Sequence, residues 1–285
     1  MRHLVAPERV LLSLVMVVLV LMSLLFGFLF WFALPVVTDP SVAVFSLQWQ
    51  PDQGHYGILP MVFGSGVLAI TASLVAFPFA LGIASFCQYS RYQPIAIWIR
   101  RLVRLMAGIP TVVYGLAAVF LLVPLLRETF RSGSGFSLLA VMLMMVLLIL
   151  PVMIMMLDSR FQALTQQLRL TSCSIGMTDS QMIAHVIVPN SMHAIASAAL
   201  LGFNRAIGDT LLPLMLAGNA PQITGSILDS VRTLTAHIGL VLATENSSAM
   251  YNSLFAAGLL LLTLSVCVTV LIRKLTHSTD GGING

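Results

Sequence analysis

The sequence predicts an all-α, polytopic membrane protein with six transmembrane helices. Hydrophobic residues make up 58% of the 285-residue chain and charged residues only 8%, whereas soluble domains carry about a quarter charged residues. Such an inventory cannot cover a water-facing surface. Lipid can replace that surface, provided every backbone polar group is satisfied within a helix or a closed barrel. The apolar runs are unbroken rather than alternating, which selects helices over a barrel.

Six runs approach the roughly 20 residues needed to cross the hydrocarbon core. They lie near 10–34, 61–86, 102–125, 136–157, 191–216 and 251–272. Arg2 and Arg9 precede the first run, as they would in a signal peptide. That run is too long for a signal h-region and lacks a small-x-small cleavage pattern, so an uncleaved first span is expected.

Orientation follows from the basic residues. With the N-terminus inside, the inner set is Arg2, Arg9, Arg91, Arg100, Arg101, Arg104, Arg160, Arg169, Arg273 and Lys274, against Arg127, Arg131 and Arg232 outside. This asymmetry predicts both termini in the cytoplasm. Together with Arg205 in the fifth run, these make 14 basic residues against 10 acidic ones, a net charge of +4. A nucleic-acid groove needs clustered Lys and Arg interleaved with aromatics, and the chain has a single lysine, Lys274. The partner read from composition is the lipid bilayer, not nucleic acid.

Enzymatic chemistry has no foothold. A phosphate-binding G-x4-G-K-[ST] loop needs a lysine in a context that Lys274 lacks. Neither H-E-x-x-H nor G-x-S-x-G occurs, and no carboxylate or thiol joins His185 and His193 at ligand spacing. Cys87, Cys173 and Cys267 form no C-x-x-C. No disulfide, metal or cofactor is expected.

The chain divides into a first helix with its outer segment (1–60), a core of five spans (61–275) and a polar tail (276–285). Within the core, the inner loop 158–190 is the most informative stretch. Phe161, Leu164 and Leu168 fall on one helical face. Gly176 suits the left-handed residue that ends a helix, and Thr178 with Gln181 has capping-box spacing. Met182, Ile183, Val186 and Ile187 give a second helix its apolar face. Two short amphipathic helices hinged at Gly176 are expected.

This loop resembles the cytoplasmic E-A-A-x3-G-x9-I-x-L-P loop of ABC-importer permeases. Gly176 is followed by nine residues and then Val186-Ile187-Val188-Pro189, while Leu170, Thr171 and Ser172 stand at the E-A-A positions. The resemblance implies a type I ABC-importer permease fold. It also implies that Leu170, Thr171, Ser172, Gly176, Val186, Val188 and Pro189 dock on an ATPase subunit dimer. Read without it, the loop is a helix pair lying in the membrane interface.

In the third span, Pro110 cannot donate to the carbonyl one turn back, so the helix must kink or open there. Residues alone allow a packing kink or a cavity-lining break. The stretch Gly108-Ile-Pro-Thr-Val-Val-Tyr-Gly115 resembles the G-I-P-[ST]-V-V-Y-G stretch of phosphate-specific transport permeases. That implies a substrate path past Pro110, Thr111 and Tyr114.

In the fifth span, Arg205 and Asp209 are i and i+4 and are expected on one helical face, continuing a small-residue stripe of Ala198 and Gly202. A charge within the bilayer costs about 2.5–3.5 kcal/mol on insertion scales and marks a functional site by default. A guanidinium binds a tetrahedral oxyanion through two parallel hydrogen bonds, and a carboxylate one turn away would hold it between substrates. A structural ion pair fixing helix register is the other reading. The stretch Arg205-Ala-Ile-Gly-Asp-Thr210 resembles the family's R-A-[LI]-G-E-T, with Asp209 for Glu and Asn204 where Gly is usual. Arg205, Asp209 and Thr210 are thereby implied in the path.

The outer segments, with Trp49 and Tyr56 in one and Asn219, Gln222 and Arg232 in the other, resemble those of the C-type phosphate permease. The implied role is contact with a periplasmic phosphate-binding protein. Anchoring of Trp49 and Tyr56 at headgroup depth is compatible with it. The resemblance covers roughly 49–272. It implies a multi-pass permease of the bacterial inner membrane that imports phosphate with a second, A-type permease subunit. A permease for another solute, or a sensor or scaffold that has lost transport, are the alternatives.

Overall fold

In the computed structural model, which describes residues 6–38, 46–53, 55–131, 133–244 and 248–280, the six apolar runs become helices, two of them interrupted. The order is α1 (Ala6–Thr38), a two-residue hairpin of β1 (Trp49–Gln50) and β2 (His55–Tyr56), α2 (Leu59–Phe86), α3 (Gln93–Gly108), α4 (Thr111–Ala117) and α5 (Val123–Phe130). There follow α6 (Leu138–Ser174), α7 (Asp179–Met182), α8 (Met192–Ile207), α9 (Leu211–Leu216), α10 (Leu234–Thr244) and α11 (Ser248–Asp280). Among the described residues, five helices are long and apolar enough to cross a membrane. The pair Asp179–Ile187 and Pro189–Ile207, bent by 44°, makes a sixth candidate.

The core forms where α2 packs on α6. Ala69, Ala72, Ala76, Ala80 and Ala84 are fully buried along one face of α2, at the three- and four-residue spacing that keeps side chains aligned on a helix. Methyl-sized side chains let the backbones approach, which is how helices associate where burial from water offers no drive. Met145, Ile149, Met153 and Leu157 of α6 are fully buried in the same cluster. On the other side, α8 approaches at Gly202, where a Cβ would lie 2.6 Å from the Met153 sulfur. α1 is peripheral. It rests on α11 through Phe28, Phe32 and Phe255, with the last two rings stacked at 4.9 Å.

Three sequence expectations are corrected. The third span begins at Thr111 rather than 102, since the candidate span is Thr111–Phe130. Residues 102–108 belong to α3, an amphipathic helix carrying Arg100, Arg101 and Arg104, and those charges keep it out of the hydrocarbon. The first half of the inner loop is not a separate helix. α6 runs unbroken for 37 residues because nothing between Leu138 and Ser174 stops it, Pro151 included. The polar tail after Lys274, whose composition predicts disorder, is helical as far as Asp280, and 281–285 lie outside the described residues.

α6 ends as a glycine-terminated helix should. Gly176 has φ +76°, its N–H donates to Cys173 O, and the Met177 N–H donates to Ser172 O. These are the two bonds of a Schellman motif. The capping box forms: Gln181 N donates to Thr178 Oγ1 and Thr178 N donates to Gln181 Oε1. α7 then continues as a π-helical turn, Ile183–Ile187, burying Met182, Ile183 and Ile187.

Candidate functional site

Proline opens both interrupted apolar runs. Its ring clashes with the carbonyl four residues back and offers it no N–H. For Pro110 that carbonyl is Met106. Ile109 and Pro110 turn extended, and Met106 O accepts from Ile109 N at 3.2 Å and from the Tyr114 hydroxyl at 3.0 Å. Tyr114 is buried, so its phenol spans the break and satisfies it from within. Thr111 opens α4 half-buried, and Pro110 itself is exposed. The span then passes through a π-helical turn, Ala118–Leu122, into α5.

The fifth span breaks between Ile207 and Leu211, a break the sequence reading did not place. Gly208 caps α8. Pro213 frees the carbonyl of Asp209, which accepts from Thr235 Oγ1 at 2.8 Å. The Asp209 carboxylate accepts from Leu212 N at 3.0 Å, capping α9 as an aspartate does at a helix N-terminus. Thr210 is half-buried, and its carbonyl takes the Leu214 N–H at 3.1 Å.

Arg205 and Asp209 therefore do not share a helical face, because the helix ends between them. No ion pair joins them. Asp209 is 6% exposed and committed to α9. The buried stripe is Ala198, Gly202 and Ala206, and Arg205 lies beside it, exposed, with no hydrogen bond among the described residues. Asn204 accepts from Ser265 of α11 at 3.2 Å.

The two breaks are brought together. α4 packs on α9, and a Cβ on Gly115 would lie 2.5 Å from the Met215 sulfur. On the far side of the fifth-span break, an apolar cavity of about 490 Å³ between α1, α8 and α11 reaches Asn204, Gly208 and Thr235.

The segment after α9 is built into this region. Ser137, Leu138 and Leu139 N–H groups at the start of α6 donate to the carbonyls of Leu216, Asp229 and Ile227, satisfying donors that a helix N-terminus leaves free. Leu234 N donates to Ser65 Oγ at 2.7 Å. A Cβ on Gly64 would meet Arg232 O at 2.6 Å, so only glycine admits this chain. Arg232 Nε donates to Asn219 O at 2.8 Å, and burial lowers the guanidinium pKa. Asn219, at φ +57°, donates from Nδ2 to Leu214 O. Gln222 is exposed, its amide 3.5 Å from Ser230 O. Trp49 is buried, 8% exposed, and its ring sits edge-on against His237 at 4.3 Å. Tyr56, half-buried, pairs with it across the hairpin.

At the opposite end of α6, Leu170 and Ile175 are 85% and 70% exposed. Thr171, Gly176 and Pro189 are also exposed, Val186 and Val188 are half-buried, and Ser172 is buried.

The model for the binding-protein-dependent transport system inner membrane component matches residues 76–280. The chain belongs to this family. The component is 35% identical over 245 residues to the probable ABC transporter permease YqgH of Bacillus subtilis, covering 84% of this chain and 78% of that protein. It is 26% identical over 248 residues to the phosphate transport permease PstC of Xylella fastidiosa Temecula1, covering 80% and 76%. Against the probable PstC of Methanocaldococcus jannaschii it is 24% identical over 283 residues, covering 90% and 88%. Among solved structures, a chain of the inward-facing MetNI methionine ABC transporter superposes with a TM-score of 0.58 at 14% identity, covering 80% of this chain and 99% of that one. The fold is that of an ABC-importer permease.

The transport component also holds a cluster that sequence reasoning missed. Arg100 of α3 forms a two-pronged pair with Asp158 of α6, Nε to Oδ2 at 2.8 Å and Nη2 to Oδ1 at 2.9 Å, and Nη2 also donates to Cys87 O. Gln88 Nε2 donates to Asp158 Oδ1 at 2.8 Å, and Thr165 donates to Gln88 Oε1. The hydrogen bond to Asp158 raises the Arg100 pKa, while burial, and then Asp158, pushes the Cys87 thiol up. The cluster clamps α3 and the end of α2 to α6. A lone acid directly after the fourth apolar run was the available signal.

Proposed function

We propose that this chain is one permease subunit of an ATP-driven importer of inorganic phosphate, forming the path with a second permease subunit. The observation that carries the reading is Arg205: a guanidinium in the fifth apolar run, beside a broken helix, exposed and in no ion pair among the described residues. A charge so placed costs about 2.5–3.5 kcal/mol on insertion scales, and a passing oxyanion can offset that. Similarity to phosphate permeases of the C type supports phosphate as the anion. Pro110, Thr111, Tyr114, Asp209 and Thr210 shape the path. Asp209 holds the break open rather than holding Arg205.

In this reading both termini and the Gly176 turn face the cytoplasm. Leu170, Thr171 and Ile175, with Val186, Val188 and Pro189, dock on separate ATPase subunits, which supply the hydrolysis this chain does not perform. Tyr56, Gln222 and the Asn219–Arg232 turn meet a periplasmic phosphate-binding protein. Residues 61–275 form the permease core in the bacterial inner membrane.

The test is phosphate uptake into vesicles carrying the second permease and ATPase, with binding protein supplied. Arg205→Ala should abolish uptake at unchanged membrane abundance, and Arg205→Lys should restore only part of it, because an ammonium lacks the planar fork. Normal uptake by Arg205→Ala would overturn the path assignment.

A further inference from the structure

A cavity of about 240 Å³ opens between α3 and α6 beside the Arg100–Asp158 pair. Its hydrogen-bonding balance is one-sided. Both oxygens of Asp158 are occupied, Oδ2 by Arg100 and Oδ1 by Arg100 and Gln88. The unfilled groups are chiefly donors: Arg100 Nη1, the two terminal nitrogens of Arg104, whose Nε alone is engaged by Arg100 O, and the side-chain amide of Gln162. Two guanidinium groups against one carboxylate leave a positive charge. Val103 and Ile154 supply an apolar wall.

An oxyanion of phosphate type fits that balance, because guanidinium groups pair bidentately with its oxygens. The surroundings say where it comes from. Ile95, Trp98, Leu102 and Leu105 form one exposed stripe along α3, from 51% to 70% exposed. Arg101 lies over the Trp98 ring at 5.5 Å. An amphipathic helix with this division lies in the plane of the membrane boundary, its apolar side among acyl chains and its cations at headgroup level. Asp158 follows the last residue of the fourth apolar run, at the same depth. Basic pockets between helices at this level are where anionic headgroups sit.

We infer that the cleft between α3 and α6 binds the phosphate group of an anionic phospholipid, with Arg104 and Gln162 as ligands and Arg100 held in place by Asp158. The Trp98–Leu105 stripe, on the opposite side of α3, lies among neighbouring acyl chains, so the headgroup and the stripe together hold α3 at the bilayer. The site is independent of the phosphate-import reading.

Native mass spectrometry of the full chain in detergent tests this, with phosphatidylglycerol, phosphatidylcholine and inorganic phosphate added separately. The wild type should retain phosphatidylglycerol over phosphatidylcholine. Arg104→Gln should weaken that retention about five-fold, the effect of one cation near an anionic headgroup. Gln162→Leu should weaken it less, and Arg127→Gln, at the other end of the bundle, should leave it unchanged. Equal retention of the two lipids overturns the site, as does indifference to both Arg104→Gln and Gln162→Leu. If millimolar inorganic phosphate displaces the lipid or binds with equal dependence on Arg104, the cleft serves free phosphate and the lipid assignment falls.

Discussion

Pro110 and Pro213 remove the same backbone bond in two different spans, yet the carbonyls they free are satisfied from different directions. Met106 O, at the end of α3, takes the hydroxyl of Tyr114, eight residues along the chain, and keeps Ile109 N as a second donor. Asp209 O takes Thr235, from the outer segment 26 residues away in sequence. The third-span break is thus closed on itself, whereas the fifth-span break depends on a segment that is seated from outside the bundle through Ser65 and Gly64. Whatever moves the outer segment reaches Asp209 directly and Met106 only at one remove, through helix contacts such as α4 on α9 and α3 on α6. Proline alone does not decide the matter. Pro78 and Pro151 sit inside helices that continue through them.

That asymmetry can be broken experimentally. Gly64→Val should have the largest effect, since a side chain there meets the backbone carbonyl of Arg232. Overpacking costs about 1–3 kcal/mol, and the upper end is expected because the obstacle is main chain. Thermal unfolding in detergent should show the loss, and added cleavage of the 217–233 segment by protease should show that the segment has lifted. Thr235→Val comes next. It strands the Asp209 carbonyl, at about 1–3 kcal/mol for a buried unpaired group. Tyr114→Phe should cost less, about 0.5–1.5 kcal/mol, since Met106 O retains Ile109 N. A larger loss in Tyr114→Phe than in Thr235→Val would reverse the comparison.

The smallest change in stability should come from Asp209→Asn. Asparagine caps a helix about as well as aspartate, so α9 should persist with a difference of a few tenths of a kcal/mol. Phosphate uptake then reports on the charge alone. Unchanged uptake would reduce Asp209 to a cap, and lost uptake at intact stability would give its charge a part in transport.

Most of the architecture was legible because it depends on runs and periods. Span number follows from apolar length, and the Gly176 turn from a glycine followed by Thr178 and Gln181 at capping distance. Pro110 announced its break because glycine stands on both sides of it. The fifth-span break was partly legible: Gly208 and Pro213 bracket Asp209, but the i, i+4 spacing of Arg205 and Asp209 suggested a continuous helix and outweighed them. What could not be read is what crosses the chain. Thr235 reaching Asp209, and Arg100 reaching Asp158 over 58 residues, have no local spacing. Trp49 looked like an interfacial aromatic, since nothing in its neighbourhood reveals that His237 closes over it.

The length of α6 has a mechanical consequence. Thirty-seven residues at a rise of 1.5 Å make a rod of about 55 Å. Its first turn is tied to the outer segment through Leu216, Ile227 and Asp229, and its last turn ends in the Gly176 bend. A rod of that length tilting by about 5° displaces its far end by about 5 Å, close to one helical turn. No residue between the two ends needs to change conformation for the displacement to arrive.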